Sequence, residues 1–596
     1  MNEPANLPPL PGGQPPASFV ARLLPCFLTF TSSFCVMVIE LVAGRLISRH
    51  VGNSLYTWTS VIGVVLGGIT LGNWLGGLLA DMFKPRKTLS VLFLLAALTT
   101  LGIPLLDHMA GGRGNESLFK ISEIQNWPLR IALHVCAVFL LPATVLGLIG
   151  PNVAKMALDH GRKAGSTVGN VYAWGALGSI VGTFLTGFYL VQAMGTVGIV
   201  YSVAGLLAFV GLGLAPSLIW PGFTAACLFF AIQAWQGPWE WKVGGGQFLV
   251  QKKPDSDCVY TTETQYSYIR IDQEGADDGE KRTLILDNLI HAYYTPSDVT
   301  ELQYEYEKIY AGVIHRFGKD RSGLHALFFG GGGYIFPRYI REKWPQSSIE
   351  VAEIDPGVTQ ADIEGFGVSP DEIRIVGNES PVKKDPESLP SLDLREPIEV
   401  HHMDARNRVD ELVEAKRTDK SFEPFDFIFG DAFNYYAVPS HLVTKEFNEK
   451  VKELLRPEDG IYMINVIDIY YWGGFLGGVC NTMREVFPYV YVFSNTEGHP
   501  DIDVTGRDTF IVIGSLKDLG DLSDLGSREG EMKFTGSLLN ERHLKTLAKR
   551  SNGIVLTDDY APVENLLEVV VRMKDSSDDK DGKSEDKYEK RGEYDE

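Results

Sequence analysis

From about residue 18 to residue 236 the chain runs in long apolar blocks separated by short polar breaks; beyond residue 237 the apolar runs shorten and charges reach the density of an ordinary soluble protein. A helix needs about 20 apolar residues to cross a bilayer. Seven stretches reach that length, at roughly 20–48, 57–80, 88–107, 129–149, 168–193, 196–214 and 217–236. The fifth carries Gly169, Gly175, Gly178, Gly182 and Gly187, and small residues at such spacings let helix backbones approach closely in lipid. Glu40 falls inside the first block, where a carboxylate is costly enough to imply a function or a buried partner; Arg45 is the nearest candidate partner.

After Gly237 the pattern is that of strands. Tyr268-Ile269-Arg270-Ile271 and Thr283-Leu284-Ile285-Leu286 are short apolar or alternating runs between polar turns, as in β-hairpins. From about residue 300, helical stretches alternate with buried runs at 326–329, 349–352, 425–429 and 460–464, the mark of a parallel α/β sheet. The expected organisation is a disordered N-terminal tail (1–17), an α-helical transmembrane bundle of about seven helices (18–236), a small β-hairpin domain (237–300), a Rossmann-like α/β domain of the class I methyltransferase kind (301–572) and a disordered charged tail (573–596).

Charge and cysteine usage narrow the classes. Of 596 residues the formal net charge is −21, carried almost wholly by the second half, which argues against nucleic acid as a partner and suits a cationic substrate. The six cysteines show no C-x-x-C pair or ligand spacing, so neither a disulfide framework nor a metal site is expected. The N-terminus lacks a basic segment, so a cleaved signal peptide is not expected. Basic residues at Lys84, Arg86 and Lys87 and at Lys155, Arg162 and Lys163 mark cytoplasmic loops. Seven spans would then leave the soluble half outside, whereas a nucleotide-using domain needs the cytoplasmic pool; the second consideration places it in the cytoplasm.

The strongest local signal is the strand Leu327-Phe328-Phe329 ending in Gly330, Gly331, Gly332 and Gly333 before a helix. Glycines at that turn let a ligand approach the backbone and the helix N-terminus. About twenty residues on, Glu353-Ile354-Asp355 ends the next strand, where Glu353 can accept both ribose hydroxyls. A third strand leads to Met403-Asp404-Ala405, where Asp404 can accept the adenine amino group. The fourth ends at Asp431, followed by Asn434, Tyr435 and Tyr436. Three strand-end features in this order define an adenosyl-nucleotide site, with Asp431 beside the reacting atoms.

These motifs, with Asp431 through Val438-Pro439-Ser440-His441-Leu442-Val443-Thr444 and the hairpin around Leu286-Asp287-Asn288, resemble the polyamine aminopropyltransferases, chiefly spermidine synthases. The apolar half, with Glu40-Leu41, Trp58 and Gly76-Gly77-Leu78-Leu79-Ala80-Asp81, is similar to transporter-like segments fused to such enzymes in bacteria. The resemblance implies a multi-pass protein of the bacterial inner membrane that contacts the lipid bilayer and forms a homodimer. It implies no permanently bound cofactor, decarboxylated S-adenosylmethionine or S-adenosylmethionine as co-substrate, and a small amine such as putrescine as acceptor. Asp431 would act as general base. Gly330 to Gly333, Glu353, Asp355, Asp404 and Ala405 would hold the nucleotide; Tyr266, Asp287, Asn434 and Tyr435 would meet the amine.

Three positions depart from the family pattern: Gly333 where an aspartate grips the aminopropyl ammonium, Asn434 for a second aspartate, and Ser267 for a glutamine. Two alternatives therefore stand beside aminopropyl transfer. One is methyl or other group transfer from intact S-adenosylmethionine; the other is a transporter or sensor with a non-catalytic nucleotide-binding domain. Thr557-Asp558-Asp559-Tyr560-Ala561-Pro562-Val563-Glu564 matches a terminal signature of the fused proteins to which the sequence assigns no mechanism.

Overall fold

The structure is a computed structural model that describes residues 19–51, 55–111, 121, 124, 127–159, 164–215, 239–244, 247–252, 257–275, 280–287, 289–377, 395–432, 438–495, 506–527, 532–568 and 570. The expected seventh span at 217–236, both tails, and Asn434, Tyr435 and Tyr436 lie outside the described residues. The chain divides into two compact units. One comprises Met1–Ile47, Tyr56–Ile124 and Pro128–Lys253, the other Ser48–Leu55, Gln125–Trp127 and Pro254–Glu596.

The first unit is helical: α1 (Phe19–Val51), α2 (Leu55–Met82), α3 (Pro85–Leu101), α4 (Ile103–Gly111), α5 (Trp127–Gly147), α6 (Ile149–Leu158), α7 (Ala164–Leu185) and α8 (Val191–Leu214), followed by the hairpin β1 (Trp239–Gly244) and β2 (Gln247–Lys252). Among the described residues, six helical stretches are long and apolar enough to cross a membrane. Their contacts explain the small residues. A Cβ on Gly72 would fall 2.1 Å from the carbonyl oxygen of Thr144, and one on Gly147 2.7 Å from that of Ile69, so α2 and α5 touch backbone to backbone. Gly178 and Gly182 do the same against Phe30 and Phe34 of α1, whereas Gly169 and Gly187 face open space and serve no such contact. The helix breaks expected between 193 and 196 centre on Gly195, whose φ of 65° an L side chain adopts at a cost. Glu40 is half-buried on α1. A second polar feature, absent from the sequence reading, is the buried His134, whose Nε2 lies 3.1 Å from Asp107 Oδ1.

The second unit opens with a four-stranded antiparallel sheet, β3 (Cys258–Glu263), β4 (Tyr268–Glu274), β5 (Lys281–Leu286) and β6 (Leu289–Tyr294). Helix α9 (Glu305–Gly318) leads into the main sheet. Its strands are β7 (His325–Phe329), β8 (Ser348–Ala352), β9 (Ile373–Ile375), β10 (Ile398–His401), β11 (Phe427–Gly430), β12 (Ile461–Asp468), β13 (Tyr489–Ser494), β14 (Asp508–Ser515) and β15 (Ser537–Leu538). They lie in the order β15-β13-β14-β12-β11-β7-β8-β10-β9. The six from β9 to β12 are parallel, and β14 and β13 close one side antiparallel. Burial on both faces explains why β7 and β11 read as unbroken apolar runs; the Phe328 and Phe429 rings stack at 4.4 Å between them.

The helices that position the site follow the strands: α10 (Ile335–Lys343) after β7, α11 (Pro356–Glu364) after β8, α12 (Ala405–Thr418) after β10, α13 (Lys445–Leu454) after β11 and α14 (Gly474–Val486) after β12, with α15 (Glu541–Arg550) near the end. Strand order reverses at β7, which pairs with β8 on one side and β11 on the other. In an open α/β sheet the crevice outside the carboxyl ends at that reversal is where ligands bind.

Candidate nucleotide and amine site

The loops after β7, β8, β10 and β11 deliver the expected residues to one cavity of about 170 Å³. Its lining includes Gly330, Gly331, Gly332, Glu353, Asp355, Asp404, Ala405, Asp431 and Tyr266. Gly333 and Asp287 stand outside it.

At one end are the carboxylates expected to hold the nucleoside. Gly330 takes φ 99°, and a Cβ there would lie 2.3 Å from the carbonyl oxygen of Asp431, so only glycine lets the two loops touch. Glu353 is buried; its Oε2 accepts the Gly331 N–H at 2.7 Å and its Oε1 the Asp355 N–H at 2.8 Å. Burial pushes its pKa up to about 7, against the pull of those N–H groups. Asp355 caps α11 by accepting the Gly357 N–H at 2.9 Å and takes the Thr264 hydroxyl at 2.6 Å, tying the small sheet to the main one. Ser267 donates to the same carboxylate at 3.4 Å, which gives that departure a structural role. Asp404 caps α12, accepting the Arg406 N–H at 2.8 Å, and lies 2.9 Å from His441 Nε2. The Tyr266 hydroxyl is pushed above its usual range by burial and then by Asp355, Asp404 and Glu353, so it stands at the nucleotide end.

Asp431 occupies the other end. Its Oδ1 accepts Asn465 Nδ2 and its Oδ2 the Tyr306 hydroxyl, each at 2.9 Å. Enclosure by protein raises its pKa, an effect these donors and nearby His291 oppose. Glu307, buried on the first turn of α9, lines the same cavity, and burial raises its pKa to about 8 with a further push from Asp431. Two buried carboxylates in one cavity suit a cation, since an ammonium beside them stabilises their ionised form and offsets the desolvation that raises their pKa. Tyr306, Glu307, His291 and Asn465 were not expected from the sequence; the Tyr-x-Tyr-Glu run at 304–307 reads as a helix start, which it also is.

Two positions differ in what they can do. Asp287 adopts φ 54° in the β5–β6 turn and accepts the Tyr268 N–H at 3.0 Å, so its carboxylate shapes the hairpin. Gly333 has φ 78°, and a Cβ there would meet Ala292 Cβ at 2.5 Å and the Phe366 ring at 2.9 Å. Its N–H donates to the buried Asp362 at 3.1 Å. A carboxylate side chain therefore has no room at this position.

The sheet order and the strand-end crevice define a Rossmann-like α/β domain of the class I methyltransferase kind. Within that class, 168 residues of the chain are 27% identical to polyamine aminopropyltransferase 2 of Ralstonia nicotianae, covering 28% of this chain and 30% of that protein. A further 32% identity over 139 residues relates it to the polyamine aminopropyltransferase of Vibrio vulnificus, covering 23% of this chain and 36% of that one. The chain thus spans about a third of the length of the relatives it matches. Among solved structures, a probable spermidine synthase from Corynebacterium glutamicum aligns with 51% of this chain and 97% of its own at 20% identity, with a TM-score of 0.39. No family model matches the chain.

Proposed function

We propose that the protein is a membrane-bound aminopropyltransferase of the spermidine synthase type, carrying an aminopropyl group from decarboxylated S-adenosylmethionine to a small amine such as putrescine. The observation that supports it most is the position of Asp431, poised between Tyr306 and Asn465 in the same cavity as Glu353 and Asp404. Glu353 takes the ribose hydroxyls, Asp404 the adenine amino group, and the glycine loop admits the nucleoside to the backbone. The deprotonated amine attacks the methylene beside the sulfonium. A C–N bond forms as the C–S bond breaks, the electron pair stays on sulfur, and 5′-methylthioadenosine leaves as a neutral thioether. The proton shed by the amine passes to Asp431, whose raised pKa suits a general base. Glu307, ionised once the ammonium lies beside it, supplies the negative charge that holds the rest of the cationic acceptor. The apolar helices hold this domain at the bacterial inner membrane, facing the cytoplasm.

A second reading, methyl transfer from intact S-adenosylmethionine, is favoured by Gly333, where no carboxylate can repel the donor's own. Incubating the purified full chain with a panel of amines and each donor, followed by mass spectrometry, separates the two. Aminopropylated amine and methylthioadenosine are expected with the decarboxylated donor. Methylated product from the intact donor alone overturns the assignment, and binding without turnover by either donor points to a sensor.

A further inference from the structure

We propose that His441 is a positioning residue that sets the base selectivity of the nucleotide pocket, and that the C-terminal turn Thr557–Asp558–Asp559–Tyr560 belongs to this pocket by holding His441 in place. The inference rests on the reading of Asp404 as the acceptor of the adenine amino group. An ionised carboxylate offers about four lone-pair sites and no proton. Asp404 uses one on Oδ1 for the Arg406 N–H and one on Oδ2 for the His441 ring, and the Asn407 N–H is a further backbone donor to it. What remains can take an exocyclic amine and repels a carbonyl, provided the group stays ionised and keeps its orientation. An ordinary carboxylate is ionised at neutral pH without help; His441 serves the second need, because its ring fixes Oδ2 while the Arg406 N–H fixes Oδ1, and the same bond pulls the carboxyl pKa further down.

His441 is itself anchored. Its backbone carbonyl accepts Arg406 Nη1 at 3.0 Å, and the same guanidinium grips both oxygens of Asp558, with Nη1 to Oδ1 at 2.7 Å. The Asp558 N–H donates to Glu446 at 2.9 Å, and Thr557 and Tyr560 close the turn through reciprocal backbone bonds of 3.0 and 3.1 Å. A further backbone bond joins Lys445 to Leu556 at 2.8 Å. The Arg406–Asp558 pair is partly exposed, so its contribution is direction more than energy. Pro439 and Leu442, on either side of His441, line the cavity, so a shift of this segment reaches the base directly.

The test titrates the full-length protein with S-adenosylhomocysteine and with S-inosylhomocysteine, in which a carbonyl replaces the amino group. Wild type is expected to prefer the adenosyl compound by about tenfold or more, the worth of a hydrogen bond to a charged group. His441→Ala should bring that ratio to within about threefold of unity, and His441→Gln, which keeps a side-chain N–H, should restore most of it. Asp558→Asn should lower the ratio partway. Equal weakening of both compounds in His441→Ala, with the ratio kept, overturns the inference and leaves a packing role. Asp404→Asn distinguishes the levels: if it erases the preference while His441→Ala does not, only the role of His441 fails; if neither variant moves the ratio, the reading of Asp404 fails as well.

Discussion

Replacing Asp431 with asparagine keeps the shape of the side chain and removes its charge and basicity. One end of the amide can still accept from Asn465, and the other can donate to the Tyr306 oxygen, whose own hydrogen is free to turn away. The fold should therefore survive. Its stability at neutral pH should rise, because a carboxyl whose folded pKa lies above its unfolded value loses stability as pH climbs through the folded pKa, and a neutral isostere escapes that loss. A positioned general base contributes about 10²- to 10⁴-fold, or about 3 to 5 kcal/mol of transition-state stabilisation. Methylthioadenosine release should fall by that factor. Affinity for S-adenosylhomocysteine should change by less than about threefold, since Glu353 and Asp404 sit on other strands. Thermal melting, equilibrium titration and a single-turnover assay on one preparation measure the three quantities. Turnover within tenfold of wild type would refute the assignment of Asp431, and so would a loss of turnover explained by an equal loss of donor binding.

Glu307→Gln should raise the KM of the amine about 10- to 100-fold while leaving donor affinity unchanged, since it removes a charge at the acceptor end alone; steady-state kinetics with both substrates varied would show it. Affinity for S-adenosylhomocysteine should strengthen from pH 6 to pH 8, because ribose hydroxyls donate to the ionised form of Glu353 and its pKa of about 7 lies in that window; Glu353→Gln should bind more weakly and flatten the profile. Gly333→Asp, which places there the aspartate of the aminopropyltransferases the sequence resembles, should destabilise the protein by about 2 kcal/mol or more through its positive φ and the Ala292 contact, read as a lowered melting temperature, and should not improve turnover.

The parts of this structure that announce themselves in the sequence are those where one residue type has few alternatives. Strands β7 and β11 are buried on both faces and so are written as unbroken apolar runs. The glycine loop and Asp431 fall immediately after these runs, and Glu353 and Asp404 just after the shorter, mixed strands β8 and β10, where the polypeptide turns out of the sheet. The acceptor end was harder to see. Tyr306 and Glu307 lie on the first turn of α9, where an acidic residue has an ordinary capping explanation, and Asn465 sits inside a strand with nothing local to mark it. Asp287 is a polar residue of the hairpin turn whose carboxylate accepts the Tyr268 N–H, a structural use that the sequence does not distinguish from a substrate contact. Edge strand β9 and the antiparallel pair β13–β14 also escaped, because which strands become neighbours depends on contacts far apart in sequence.

The pairing of β7 with β11 sets a timetable for making the protein. Gly330 and Asp431, which touch at the ends of neighbouring strands, lie roughly a hundred residues apart, and the ladder that joins them runs from Ala326 with Phe427 to Phe329 with Gly430. The end of the cavity that holds Asp431 cannot close before the ribosome has passed β11, although the apolar helices have emerged long before. A nascent chain thus carries its helices first and its unclosed glycine loop afterwards. A pause in translation between these two strands would leave Phe328 without the Phe429 ring that stacks on it, an apolar surface open to misassembly.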